Sequence, residues 1–128
     1  MSKHEKRILK ALLSALRKAG YQPAAVWTNE DYQVAGGASF DKGAEPDTIA
    51  KPMTNGEVLK VFEDYDMYCP TVHFTHKNSL KWGYGIMVVE GNGCDFISDW
   101  HCGDSEDIKG FDAVVDRIAT LAGDGKYE

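Results

Sequence analysis

The sequence predicts an α+β fold: an antiparallel sheet of about four to five strands packed against about three helices, within one domain spanning 1–128. Three observations carry this expectation. Segments near both ends place apolar residues at helical spacing. Three consecutive segments between 71 and 102 are rich in β-branched and aromatic residues and are separated by turn formers. The chain of 128 residues, 43% hydrophobic and 27% charged, can bury a single core without disulfide or metal staples.

The first helix is predicted over 2–19. Ile8, Leu9, Leu12, Leu13 and Leu16 make one apolar stripe, and Lys3, Lys6, Arg7, Lys10, Arg17 and Lys18 fall mostly on the other side. Ser2 can cap its start, and Gly20 sits where a left-handed residue would stop it. "AAVWT" (24–28) and "DYQVA" (31–35) read as two short strands joined at Asn29-Glu30. From 36 to 52 the composition shifts to Gly, Asp, Pro and Ala, which predicts a long surface loop.

A second helix is predicted over 54–65. Thr54 and Glu57 have the spacing of a capping box, and Val58, Val61, Phe62 and Tyr65 then line the buried side. The three strands that follow are 71–76, 82–90 and 94–102, a C-terminal meander turned at Asn78-Ser79 and at Gly91-Asn92-Gly93. A third helix begins after a cap at Asp104 or Ser105, buries Ile108, Phe111, Val115, Ile118 and Leu121-Ala122, and ends at Gly123. Residues 124–128 are expected to be a frayed tail.

Two-residue turns would set which strand residues share a face, whereas a three-residue turn at Gly91–Gly93 would swap the face of the third strand. The two-residue turns place Met87, Val89, Cys94, Phe96, Ser98, Trp100 and Cys102 inward with Val72 and Phe74. The opposite face then holds His73, Trp82, Tyr84, Ile86, Val88, Asp95, Ile97, Asp99 and His101. Cys94 and Cys102 become small buried hydrophobes, a common fate of free cysteine.

Composition limits the classes of function. The net charge is −6, which disfavours direct nucleic-acid binding as a default because phosphate recognition needs basic surface. The charge is uneven: residues 1–20 hold six Lys/Arg and one acid, whereas 90–128 hold three Lys/Arg and ten acids. Three cysteines are an odd number, which argues against a disulfide framework. No apolar run approaches the ~20 residues of a membrane span, and the N-terminus lacks the continuous apolar block of a signal peptide. A cytoplasmic protein without membrane attachment is expected.

Chemistry-bearing side chains concentrate in "GNGCDFISDWHCGD" (91–104). A metal site there is not expected. His73, His76, Cys94, His101 and Cys102 are ligand types, but H-x-x-H on a strand splits the two rings between faces, and there is no C-x-x-C. A Cys–His nucleophile is not expected either. His101 and Cys102 are adjacent and point apart on a strand, and Cys69, ahead of Pro70, has no orienting third group near it. The two G-x-G pairs in "KWGYGIMVVEGNG" open no helix, so they do not cradle phosphate.

Two candidate binding surfaces remain. One is the sheet face carrying His73, Trp82, Tyr84, Asp99 and His101; acid–base chemistry there is weighed against an ordinary half-exposed polar face, and the ordinary reading is preferred. The other is acidic: Asp104, Glu106, Asp107, Asp112 and Asp116 could imitate phosphate spacing and occupy a basic groove, though helix capping and solubility explain such residues as well. The basic side of the first helix is a further charged surface.

The segment Gly91-Asn92-Gly93, then Asp95, Ile97, Ser98, Asp99 and Trp100, resembles small bacteriophage and prophage proteins. In these an apolar strand enters a Gly-Asn-Gly turn followed by Asp-x-Ile-Ser/Ala-Asp and an aromatic. The resemblance covers the last half of the chain and transfers no catalytic residue. It implies a mobile-element accessory protein, including inhibitors of host defence. The expected function is therefore a non-catalytic macromolecule-binding protein, with a protein partner, no cofactor, no bound metal, and room for a homodimer. The alternative is a small enzyme or ligand-binding domain using His73, Tyr84, Asp99 and His101.

Overall fold

A computed structural model describes residues 1–27, 32–35, 38–41, 53–64, 69–76, 84–88, 96–101 and 108–128. In chain order these form α1 (Lys3–Lys18), β1 (Tyr21–Trp27), β2 (Tyr32–Ala35), β3 (Ala38–Asp41), α2 (Asn55–Asp64), β4 (Thr71–His76), β5 (Tyr84–Val88), β6 (Ile97–His101) and α3 (Ile108–Gly123). The sheet has six strands in the order β3-β2-β1-β4-β5-β6, each antiparallel to its neighbours. This corrects the expectation of a four- to five-stranded sheet. The additional strand, β3, lies inside the 36–52 stretch predicted as loop. Its sequence, "ASFD", carries little strand signal. It is a strand because it pairs with the free edge of β2, Ala35 opposite Ala38 and Tyr32 opposite Asp41. The remainder of 36–52, apart from the sheet strand, lies outside the described residues.

The helices follow their sequence signals. Ser2 accepts from the Glu5 N–H at 3.1 Å, and the Glu5 carboxylate accepts from the Ser2 N–H at 2.9 Å, so α1 starts with a complete capping box. Ile8, Leu9, Leu12, Leu13 and Leu16 are all buried. Gly20, with φ +96°, closes α1 in the left-handed region. At α2 the same reciprocal pair forms between Thr54 and Glu57, at 3.0 and 3.1 Å.

α3 ends differently from its expected frayed tail. The Lys126 N–H donates to the Leu121 carbonyl and the Gly125 N–H to the Ala122 carbonyl, at 3.0 and 3.1 Å, with Gly125 at φ +84°. That is a Schellman closure, in which otherwise orphaned helix carbonyls find donors. It turns Tyr127 back against the core, where its carbonyl accepts from Arg7 at 3.2 Å.

All three helices pack on one face of the sheet, with α1 against both α2 and α3. Phe111 of α3 meets Tyr21 and Phe74 at ring-centroid distances of 5.3 and 5.9 Å. These three rings join the first strand, the fourth strand and the last helix. The cluster extends through Val26, Val58, Phe62, Val72, Ile86, Val88 and Phe96.

The register corrects the expected faces of the C-terminal strands. Val72 pairs with Ile86 and Phe74 with Tyr84, one residue away from the pairing a two-residue turn would give. Such a slip exchanges the faces of β5, so Ile86 and Val88, expected on the opposite face, are buried in the core, while Val89 lies outside the described residues. A second irregularity then acts on β6. Val88 pairs with Ile97 but Met87 pairs with Asp99, leaving Ser98 as the extra residue of a β-bulge. The bulge shifts pairing by one again, so Ile86 lies opposite Trp100. Trp100 therefore reaches the helix-covered side as expected, but through two compensating slips.

Because Val72 and Ile86 are paired and fully buried, their truncations are expected to couple. Val72→Ala and Ile86→Ala should each destabilise the fold, and a double-mutant cycle by denaturant unfolding should give an interaction energy of about 0.5 kcal/mol or more. Strict additivity of the two would contradict this pairing.

Candidate functional site

Strand alternation places Thr71, His73 and Thr75 on the sheet face opposite Val72 and Phe74, away from the helices. His73 is 7% exposed and Thr75 fully buried. The His73 ring lies against Trp27 of the neighbouring strand, centroids 4.1 Å apart. This corrects the half-exposed environment expected for His73. Its burial follows from its place on β4, a central strand, beside β1.

The register decides which candidates stand together. His73 pairs with Gly85, and Gly85 pairs with His101, so the three positions form one row across β4, β5 and β6. Asp99 occupies the adjacent row, opposite Met87 and in line with Thr71. Tyr84 does not join them: it pairs with Phe74, in a row belonging to the other face. The expected combination of His73, Tyr84, Asp99 and His101 is therefore not assembled on one face, because the β4–β5 slip substitutes Gly85 for Tyr84. Trp82 lies outside the described residues. Asp99 is exposed, and its carboxylate accepts from the Trp100 N–H at 2.9 Å. Among the described residues, no group of three or more His, Cys, Asp or Glu side chains could hold a metal ion.

Of the acidic candidates, Asp104, Glu106 and Asp107 lie outside the described residues. Asp112 and Asp116 are on α3 and exposed. The Asp112 carboxylate accepts from the Trp100 indole N–H at 2.7 Å, tying α3 to the β6 edge. Asp112 therefore has a structural partner, whereas for Asp116 the structure shows only exposure.

The basic side of α1 is organised more closely than its sequence pattern indicates. Lys6 donates to the Glu63 carboxylate of α2 at 2.8 Å. Arg17 bridges to the start of α2, donating to Asn55 Oδ1 at 3.1 and 3.2 Å and to the Met53 carbonyl at 3.2 Å. Arg7 donates to the Tyr127 carbonyl. The arginine acceptors are neutral, and among the described residues neither guanidinium has a carboxylate within ion-pair distance. These anchoring roles were not read from the sequence, because Asn55 and Tyr127 become neighbours of α1 only in the tertiary structure.

Glu63 titrates below the ordinary value of 4.5, first because Lys6 hydrogen-bonds its charged form and then by the ammonium's Coulombic attraction. A lowered carboxylate favours the folded state above its ordinary pKa, and that contribution is lost as pH falls through the lowered value. No family model, curated protein or solved structure matches the chain.

Two outcomes follow from these contacts. Asp112→Ala should lower stability by about 1 kcal/mol and alter Trp100 fluorescence, while Asp112→Asn, which keeps an acceptor oxygen, should retain most of both. In Lys6→Met, NMR titration should show the Glu63 carboxyl returning toward 4.5, and the loss of stability below that pH should become shallower.

Proposed function

We propose that this chain is a non-catalytic binding protein that acts on a macromolecular partner through surface electrostatics. The accessory proteins of mobile elements supply the biological setting, and inhibition of a host defence or nucleic-acid-handling protein in the cytoplasm is the role we assign to it. One observation supports the reading above the others: positive charge is concentrated on one element of the helix layer, α1. α1 carries six cations, and its single acid, Glu5, is buried in the capping box. α2 mixes the exposed carboxylates of Glu63 and Asp64 with Lys60, and α3 mixes those of Asp112 and Asp116 with Arg117, so neither repeats the one-sided charge of α1. Concentrated charge of this kind steers encounter and selects partners more than it stabilises a fold. No helix among the described residues is long and apolar enough to cross a membrane.

The test is affinity capture from a lysate of cells that carry the gene, with the tagged protein in three forms. The wild type should recover one partner reproducibly, and high salt should release it. Either Lys3→Glu/Lys10→Glu/Lys18→Glu or Asp112→Asn/Asp116→Lys should abolish recovery, depending on which surface is used. Recovery unaffected by salt and by both variants would remove the electrostatic reading.

A further inference from the structure

We propose that the solvent face of α1 is a docking ridge for an acidic helix of a partner protein. The inference rests on the binding function above and names its surface and occupant. Lys3, Arg7, Lys10, Ser14, Arg17 and Lys18 are all exposed. They recur at i, i+4, i+7, i+11, i+14 and i+15, so they form one row about 22 Å long on the side opposite the buried leucines. Among the described residues, none of the five cations in this row has a carboxylate within ion-pair distance; only Lys6, at the edge of the row, is neutralised. Five cations on one face, none paired with a carboxylate among the described residues, stand out in a chain with 20 acids and 14 bases.

The ridge is also held in shape. Arg7 and Arg17 are fixed by the neutral acceptors Tyr127, Met53 and Asn55, so less side-chain freedom is lost when they take up a carboxylate. At the N-terminal end, Lys3 borders a recess of about 400 Å³ that also involves Met1, Ser2, Lys6, Phe62 and Glu63. This recess can seat a side chain from the end of a docked segment.

The geometry favours a helix as the occupant. Carboxylates at i, i+4, i+7 and i+14 of a second helix repeat the rise and spacing of the ridge cations Lys3, Arg7, Lys10 and Arg17, and two helices lie 8–10 Å apart when packed side by side. Side chains on one face of an extended strand recur about every 6.7 Å and fall out of step with the ridge. Nucleic acid is disfavoured because the chain as a whole carries a net charge of −6, which opposes a polyanion.

The probe is a synthetic Ala/Leu-rich helical peptide with Glu at i, i+4, i+7 and i+14, labelled for fluorescence anisotropy. Its controls are a peptide of equal composition with Glu at alternate positions, and a DNA duplex. The helical peptide should bind at about 50 mM salt and be released at about 500 mM. The Lys3→Glu/Lys10→Glu/Lys18→Glu variant should bind at least about tenfold more weakly. Ser14→Glu removes no group and places a carboxylate in mid-ridge, so it should weaken binding in the same direction without altering the circular dichroism spectrum. The proposal is overturned if the helical peptide does not bind, if the alternate-position peptide binds as well, if both variants bind as wild type, or if DNA binds more tightly. Failure here combined with a captured partner lost on Asp112→Asn/Asp116→Lys would leave the binding function standing and move it to α3.

Discussion

The antiparallel pairing of β1 with β4 is the constraint on which the rest of the molecule depends. The two strands are separated in sequence by β2, β3 and α2, yet they lie side by side at the centre of the sheet, with Val26 opposite Val72 and Tyr21 opposite His76. The chain must close a long loop to make this contact, at an entropic cost that local hydrogen bonds alone do not offset. The offset comes from what the pairing brings together. Tyr21 and Phe74 become a platform for Phe111, and the leucine stripe of α1 gains a surface to cover. On either side of this seam the chain adds its neighbours in sequence, β2 then β3 outward from β1, and β5 then β6 outward from β4.

The seam has one irregularity, a bulge between Pro23 and Ala25. Proline has no N–H to give a sheet ladder, so a bulge is where a central strand can accommodate it. The Pro23 carbonyl instead accepts from the Met53 N–H at 2.8 Å, just before α2 begins. The same junction is held from the other side by Arg17. The start of α2 is thus fixed against both α1 and β1, which holds the helix layer in place over the sheet. The cationic face of α1 is presented on that fixed layer, and two of its arginines take part in fixing it. Structure and proposed docking therefore draw on the same side chains, through different atoms.

On the opposite side of the sheet, the order of rows shows how a one-residue slip changes the chemistry. Had Tyr84 stood beside His73, a phenol and an imidazole would have shared a face. With Gly85 there, the row His73–Gly85–His101 has no side chain at its middle position. The burial of His73 against Trp27 then ties that imidazole to packing between strands. A β-sheet face is therefore a poor place to infer a site from side-chain type alone, since parity decides which residues meet.

The amino-acid sequence by itself determined the local structure. The Ser2–Glu5 and Thr54–Glu57 boxes, the stop at Gly20 and the buried stripes of α1 and α3 depend on side chains within a few residues of one another, so spacing alone reveals them. It also marked β1, β2 and the segments of the last three strands. Tertiary structure decided the number of strands, because "ASFD" becomes β3 only beside an available edge. It decided that Ile86 enters the core, because register follows from the best burial of β5 between two partners and from a bulge at Ser98 that no local pattern announces. It decided, too, that the C-terminal residues close over α3, since the carbonyl of Tyr127 meets Arg7 only after α1 and α3 have packed together.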